Sequence, residues 1–286
     1  MEIRVLKYFI ESAKLQNITK AANKLNLTQP NLSRQLKDLE VKLGQKLFIR
    51  TNYKIILTKE GEMLYKRACD ILDLVDKTEQ EFKNLKDFNG GDVYIGCAES
   101  IGIAKIAKTA KKLQNKNFKF HIFSGNYESV LEKLNNSLID FAVIIQNFNV
   151  DNFNVLDLKH SDDWGILAKK NSKLAKRDFI EASDLFKIPL IISNQGFSQE
   201  LPEILRLNKD RLNVVATYNL LFNAALFVKQ NLGYALCINN IITDDEICFI
   251  PLKPKTSSNI KLIYKNDNLS KSAQIFLKEL RKDLKN

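Results

Sequence analysis

The chain is poor in the residues from which most reactive and metal-bound sites are made. Its 286 residues include only two His and four Cys. His121 stands in a strand-like run and His160 in a polar stretch, which leaves little material for a His-based triad or a His-rich metal site. The cysteines, at 69, 97, 237 and 248, are far apart and form no CxxC pair, so neither a zinc site nor a disulfide framework is indicated. No GxSxG, P-loop or GxGxxG motif occurs. The adjacent acids, Asp162 with Asp163 and Asp244 with Asp245 and Glu246, fall in polar loops where carboxylates are ordinarily solvated. No apolar run approaches the roughly 18 residues of a membrane span. The opening MEIRVLKYF has neither the apolar core nor the cleavage site of a secretory leader. These absences lead to the expectation of a reduced, cytoplasmic protein that is not an enzyme and has no metal or cofactor. Cys97, Cys237 and Cys248 lie in apolar strand-like runs, where a thiol is ordinarily buried and inert.

What is abundant is positive charge, and it is unevenly spread. Residues 1–60 hold 12 Lys and Arg against 5 Asp and Glu, so +7 of the chain's +11 sits in its first fifth. Within that segment, Ile18 to Leu43 reads as two short capped helices. Thr19 is the expected N-cap of the first, with Ile18 preceding it as a staple and Ala21, Ala22 and Leu25 as a thin apolar stripe. Asn26 and Leu27 form the turn. Thr28 caps the second helix, and Pro30 sits in its first turn, where a missing N–H costs nothing. Leu32, Leu36, Leu39 and Leu43 recur on one face, leaving Gln29, Ser33, Arg34 and Lys37 outward. Periodicity alone also fits an ordinary helical hairpin. The surroundings favour a nucleic-acid reader. A preceding helix places Leu6, Phe9, Ile10 and Ala13 inward, Gly44 ends the second helix, and KLFIR, TNYK and IILT follow as strand, turn and strand. A basic helix-turn-helix with a wing is the footprint of a phosphate-binding module.

The first 60 or so residues, MEIRVLKYFIESAKLQNITKAANKLNLTQPNLSRQLKDLEVKLGQKLFIRTNYKIILTKEG, resemble the winged helix-turn-helix of LysR-type transcriptional regulators. The resemblance implies that Gln29, Pro30, Ser33 and Arg34 meet the major groove of double-stranded promoter DNA. It places Arg50 and Lys54 of the wing at the backbone or minor groove. With Thr28 and Lys37, these form the expected DNA-binding set. Asn52, Tyr53 and Lys54 stand where many members carry two or more basic residues.

After the wing, Thr58 opens a stretch free of Pro, and free of Gly from residue 62 to 89. Leu64, Ala68, Ile71, Val75, Thr78, Phe82 and Leu85 recur there in steps of four and three. About 28 helical residues would span some 40 Å. Spacing leaves open whether this stripe packs within its own domain or against a second copy; the resemblance implies a dimerisation helix in a homodimer or homotetramer. Ala68 and Thr78 are weak seam residues, so the C-terminal region is expected to supply most of the oligomer's stability.

Beyond Gly90 and Gly91, strand-like and helix-like segments alternate, which implies an α/β sheet with helices on both faces and ligands at the carboxyl ends of strands. The resemblance implies a two-lobed effector-binding domain like the periplasmic binding proteins. The expected domains are 1–58, 59–89 and 90–286. Lobe I takes about 91–161 and 267–286, and lobe II about 162–266, with crossings near His160 to Asp163 and Lys265 to Asn268. Glu99 and Ser100 follow the first strand and precede a helix, a place where an anion can be held. Ser100, Asn126, Gln146, Asn194, Gln195, Tyr218 and Asn219 are the candidate effector contacts, and together with Gly125 they point to a small polar or anionic metabolite. The rival from another class is a two-lobed metabolite buffer or scaffold whose N-terminal hairpin serves only assembly; retention of genomic DNA fragments separates the two.

Overall fold

The computed structural model describes residues 1–51, 54–83, 90–145, 152–194, 209–265 and 269–285. It divides into two compact units, Met1–Lys83 and Asn84–Asn286.

In the first unit, helices α1 (Ile3–Leu15), α2 (Ile18–Lys24) and α3 (Gln29–Leu43) precede a two-stranded wing, β1 (Phe48–Arg50) and β2 (Ile55–Leu57), and a long helix α4 (Lys59–Lys83). The wing strands pair antiparallel, Phe48 opposite Leu57. Leu6, Phe9 and Ile10 of α1 meet Leu32, Leu36 and Leu39 of α3 in one core, and the fully buried Ala21 and Ala22 have no side chain long enough to hold α2 away from it. The start of α2 differs from the expectation. Asn17, not Thr19, is the N-cap: its extended backbone turns its side-chain oxygen onto the Lys20 N–H at 2.9 Å. Ile18 therefore enters the first turn instead of preceding it. Leu43 also departs from the buried stripe, being 41% exposed in the last turn of α3. Gly44 follows at φ +67, a left-handed conformation suited to glycine, and ends that helix.

Thr58 caps α4, its hydroxyl accepting from the Gly61 N–H at 2.9 Å and donating to the Lys46 carbonyl at 2.6 Å. Gly61 must be glycine for space: a Cβ there would lie 2.2 Å from the Leu47 carbonyl oxygen. The described 25 residues of α4 extend about 37 Å.

The second unit carries, in order, β3 (Gly91–Cys97), α5 (Ile103–Leu113), β4 (Phe118–Ser124), α6 (Tyr127–Asn135), β5 (Phe141–Ile145), β6 (Asn154–Lys169), β7 (Ile180–Glu181), α7 (Ala182–Leu185), β8 (Pro189–Ser193), β9 (Asn213–Tyr218), α8 (Leu221–Lys229), β10 (Tyr234–Ile238), β11 (Ile247–Lys253), β12 (Ser257–Tyr264) and α9 (Lys271–Asp283). The strands form one ten-stranded sheet whose main path runs β4-β3-β5-β12-β6-β10-β8-β9, with β11 and β7 alongside.

Two lobes share that sheet through β6. Its first ten residues pair with β12, and its last six pair with β10 and β11. Lobe I packs Val93, Phe141 and Leu262 against Phe276 and Leu280 of α9. Lobe II packs Ile166, Leu190 and Leu236 on one side of the sheet, and Leu167, Ala225 and Val228 on the other. The first crossing falls at Asp163 and Trp164, close to the expected place. The second comes earlier than expected. β12 belongs to lobe I, not lobe II, because Ile260, Leu262 and Tyr264 fill the core beside Phe141 and pair with β5, so the chain returns just before Ser257 and not at residues 265–268. At these crossings the Trp164 N–H donates to the Thr256 carbonyl at 2.8 Å, and the indole N–H donates to the Ser258 hydroxyl at 2.8 Å.

Candidate DNA interface and effector cleft

Helix α3 offers one continuous polar edge. Gln29, Pro30, Arg34 and Lys37 are exposed, and Ser33 is half-buried. Thr28 occupies the N-cap with extended backbone, yet its hydroxyl makes no capping bond. Arg50, at the end of β1, turns back towards this edge: its Nη1 donates to the Ser33 hydroxyl at 3.2 Å. Helix α3 and the wing thus share a hydrogen bond between residues 17 apart in sequence. The exposed Lys54 closes the hairpin, its carbonyl accepting from the Thr51 N–H at 2.9 Å and from the Thr51 hydroxyl at 2.8 Å. Asn52 and Tyr53 lie outside the described residues.

Behind this edge, the buried Glu40 of α3 anchors the wing. Its Oε1 accepts from the backbone N–H of Leu47 at 2.8 Å and of Phe48 at 3.2 Å. A carboxylate inside an amphipathic helix reads as solvated from sequence, so this anchor was not foreseen. The one signal was its place on the Leu36–Leu39 side of the helix.

The expected seam on α4 divides. Ala68 is fully buried and Leu64 partly buried against the unit's own core, together with Tyr65, Cys69 and Leu72. Farther along, Ile71 and Thr78 are exposed, Val75 is half-buried, and Phe82 is 67% exposed. Leu85 lies outside the described residues.

In the second unit, a cavity of about 70 Å³ opens where the carboxyl ends of strands from both lobes converge. That is room for on the order of five water molecules. Asn126, Tyr218 and Asn219 line it, as does Gly125, with Trp164, Ile145, Ile238 and Ile241 as apolar walls. The polar groups are held rigidly. Asn126 accepts from the Ser129 N–H at 3.0 Å as N-cap of α6, the Tyr218 hydroxyl donates to the Leu236 carbonyl at 2.8 Å, and Asn219 accepts from the Leu220 N–H at 3.0 Å.

Two expected contacts are not among the lining residues, Ser100 and Asn194. The Ser100 hydroxyl donates to Oδ2 of Asp162 at 2.5 Å and accepts from the Gly102 N–H at 2.9 Å. Asp162 is 1% exposed and also meets His160 Nε2 at 2.9 Å, so a buried network takes the hydroxyl that the sequence reading assigned to a ligand. Asn194 is exposed and joins β9 through its backbone N–H, which donates to the Tyr218 carbonyl at 2.7 Å. Gln146 and Gln195 lie outside the described residues. In their place the cavity gains Glu99, Ser193 and Leu221.

Burial disfavours the thiolate at three of the four cysteines. Cys97 and Cys237 are buried, and burial pushes both thiols up from their ordinary pKa, most strongly at Cys237 beside the cavity. Cys248 is raised by burial as well. Among the described residues no cluster of His, Cys, Asp and Glu has the makings of a metal site, and no helix is long and apolar enough to cross a membrane.

Comparison with known families gives these two units their place. The family model for the bacterial regulatory helix-turn-helix protein of the lysR family matches residues 3–62, and that for the LysR substrate binding domain matches residues 87–285. The chain belongs to the LysR family.

Among relatives, it is 33% identical over 217 residues to the HTH-type transcriptional regulator BsdA of Bacillus subtilis, covering 73% of this chain and 74% of that one. The uncharacterized HTH-type transcriptional regulator YvbU of the same species is 23% identical over 99% of each chain. Among solved structures, CbnR, a LysR family transcriptional regulator, covers all of both chains with a TM-score of 0.79 at 18% identity. CbnR in complex with its target DNA gives 0.74 at 17% over 99% of this chain and 100% of that one. These two likenesses show the shared fold. This member of the family is accordingly a DNA-binding transcriptional regulator with a substrate-binding domain, and not an enzyme.

Proposed function

We propose that this LysR regulator reads promoter DNA through Thr28, Gln29, Pro30, Ser33, Arg34 and Lys37 of α3 with Arg50 and Lys54 of the wing, under control of a small molecule bound between the lobes of its C-terminal unit. The observation that carries this reading is the exposed edge of α3 joined to the wing through Arg50 and Ser33. Guanidinium and amide forks on such an edge suit base edges in the major groove, and the wing lysine suits phosphate. The working division is 1–58 for DNA, 59–89 for the linker helix and 90–286 for the effector. The protein acts in the cytoplasm as a homodimer or homotetramer. Exposed apolar residues support assembly on two elements: Ile71 and Phe82 on α4, and Phe222, Leu226 and Phe227 on α8.

Ligand binding closes the lobes, changes how C-terminal units pack and so alters the spacing of the paired DNA-binding units. By linkage, an effector shifts DNA binding only as far as it distinguishes the two states. The test is retention of source-genome fragments in a gel shift, followed by footprinting. Retained fragments with a steep loss of affinity as salt rises support the reading. Equal competition by random DNA at every salt concentration refutes it.

A further inference from the structure

Glu99 is the only charged residue among the described residues that line the cavity. It follows β3 in lobe I, and its Oε2 accepts a hydrogen bond from the Leu221 N–H at 2.6 Å. Leu221 begins α8 in lobe II, so this bond bridges the two lobes across 122 residues of sequence. The first turn of a helix presents unpaired N–H groups and a partial positive charge, the usual seat for an anionic ligand. Here the protein's own carboxylate takes that seat, and the N-cap residue Leu220 has no polar side chain to do so. Among the described residues, Glu99 Oε1 has no hydrogen-bond partner. The remaining lining among the described residues is neutral: Asn126, Ser193, Tyr218 and Asn219 among apolar groups, with no Lys, Arg or His among them.

We propose that Glu99 sets the ligand class of the cleft, which takes a small molecule presenting an ammonium or guanidinium group and turns away carboxylates. A ligand cation meets Oε1 while Oε2 keeps its bond to Leu221, so the occupied site reinforces the link between lobes. A ligand carboxylate about 5 Å from Glu99 meets repulsion worth on the order of a hundredfold in affinity at an effective dielectric of about 20. A cationic ligand keeps the small polar character expected from the sequence and departs from the anionic alternative. The inference rests on the effector-cleft reading above, and its test separates the two.

The experiment uses the full chain and three small probes of similar size, n-propylammonium and the isosteric pair propionamide and propionate, at about 20 mM and fixed ionic strength, read as shifts in Tm. n-Propylammonium is expected to raise Tm by about 2 to 4 °C, with propionamide giving less and propionate nothing. In Glu99→Gln the ammonium loses its advantage over the amide, and in Glu99→Asp, which keeps the charge, it retains it. Since the ranking of probes is compared within each protein, a general loss of stability does not imitate the result. Propionate stabilising the wild type as well as n-propylammonium, an unchanged ranking in Glu99→Gln, or no shift with any probe overturns the inference. Should Glu99→Gln fail to fold, the wild-type and Glu99→Asp rankings decide. Genomic DNA retention by the same wild-type preparation tests the regulator reading separately: retained DNA with the wrong ranking defeats only the assignment of Glu99.

Discussion

Removing the Glu40 carboxylate tests whether the recognition helix holds the wing in place. Glu40 is 5% exposed, and one of its oxygens accepts the N–H groups of both Leu47 and Phe48. A hydrogen bond to a charged group contributes about 1.5 to 3 kcal/mol. The 3.2 Å bond to Phe48 belongs at the lower end. The ion pair to Lys46, 3.5 Å long with the lysine 75% exposed, adds little. Glu40→Ala strands two buried donors and is expected to cost about 3 to 5 kcal/mol, while Glu40→Gln keeps an acceptor and costs about 1 to 2 kcal/mol. An 83-residue unit has about 4 to 12 kcal/mol of stability in all, so the alanine variant loses a large share of it.

The assay is urea unfolding followed by far-ultraviolet circular dichroism, with amide hydrogen exchange at Leu47 and Phe48. Fluorescence of Trp164, the chain's single tryptophan, reports the second unit as an internal control. Glu40→Gln should also weaken operator binding, since β1 carries Arg50 two residues beyond Phe48 while the outward residues of α3 are untouched. Unfolding of Glu40→Ala within about 0.5 kcal/mol of wild type, the range of an ordinary surface substitution, would refute the reasoning. Unchanged exchange at both amides would do the same.

Arg34→Ala should cost about 1 to 3 kcal/mol on the operator and relax base preference, whereas Lys54→Ala should weaken all sequences alike and flatten the salt slope; equal losses on operator and random DNA for Arg34→Ala would show that it touches only phosphate. For assembly, Phe222→Glu combined with Phe227→Glu should lower the sedimentation coefficient at micromolar concentration more than Phe82→Glu does, because the C-terminal unit is expected to hold most of the oligomer's stability; the reverse order overturns that expectation. Acid should destabilise the second unit through two aspartates. Burial tends to raise Asp163, but hydrogen bonds from Ser257 and Lys255 outweigh it and leave its pKa below the ordinary range. Asp283 is lowered by hydrogen bonds from Lys112 and Thr109. Groups depressed on folding stabilise above their unfolded pKa of about 3.9, and that contribution fades as pH falls below it through the folded value. Tm between pH 6 and 3, followed by Trp164 fluorescence, should therefore fall below pH 4 less steeply in Asp163→Asn and Asp283→Asn than in wild type, and identical slopes would show that neither aspartate contributes.

Elements built from near neighbours were legible in the sequence, and their errors are small and physical. Helix α3 declared itself through Thr28, Pro30, three buried leucines and Gly44. The start of α2 shifted because Asn17 and Thr19 are both good caps, and only backbone geometry shows which side chain reaches an N–H. Leu43 kept the period of its stripe but stood past the edge of the core, where period no longer implies burial. The α4 stripe was read correctly as a repeat, yet a repeat does not name its partner: Leu64 and Ala68 face their own core while Phe82 does not.

The cleft was legible as a place and illegible as chemistry, for one reason. Its position follows from the rule that ligands gather at carboxyl ends of strands, a property of each strand taken singly. Its chemistry depends on which side chains satisfy one another across lobes, and those pairings span long separations. Ser100 looked available until Asp162, 62 residues later, took its hydroxyl. Glu99 looked like the flank of an anion site until Leu221, 122 residues later, made it the anion. Of these two adjacent residues, the hydroxyl expected to meet a ligand is committed inside the protein, and the carboxylate beside it lines the cavity with one oxygen unpartnered among the described residues. On the proposal made for Glu99, the cleft recognises the opposite sign from one built on a helix end alone, and side-chain pairing across the lobes, not strand order, carries that difference.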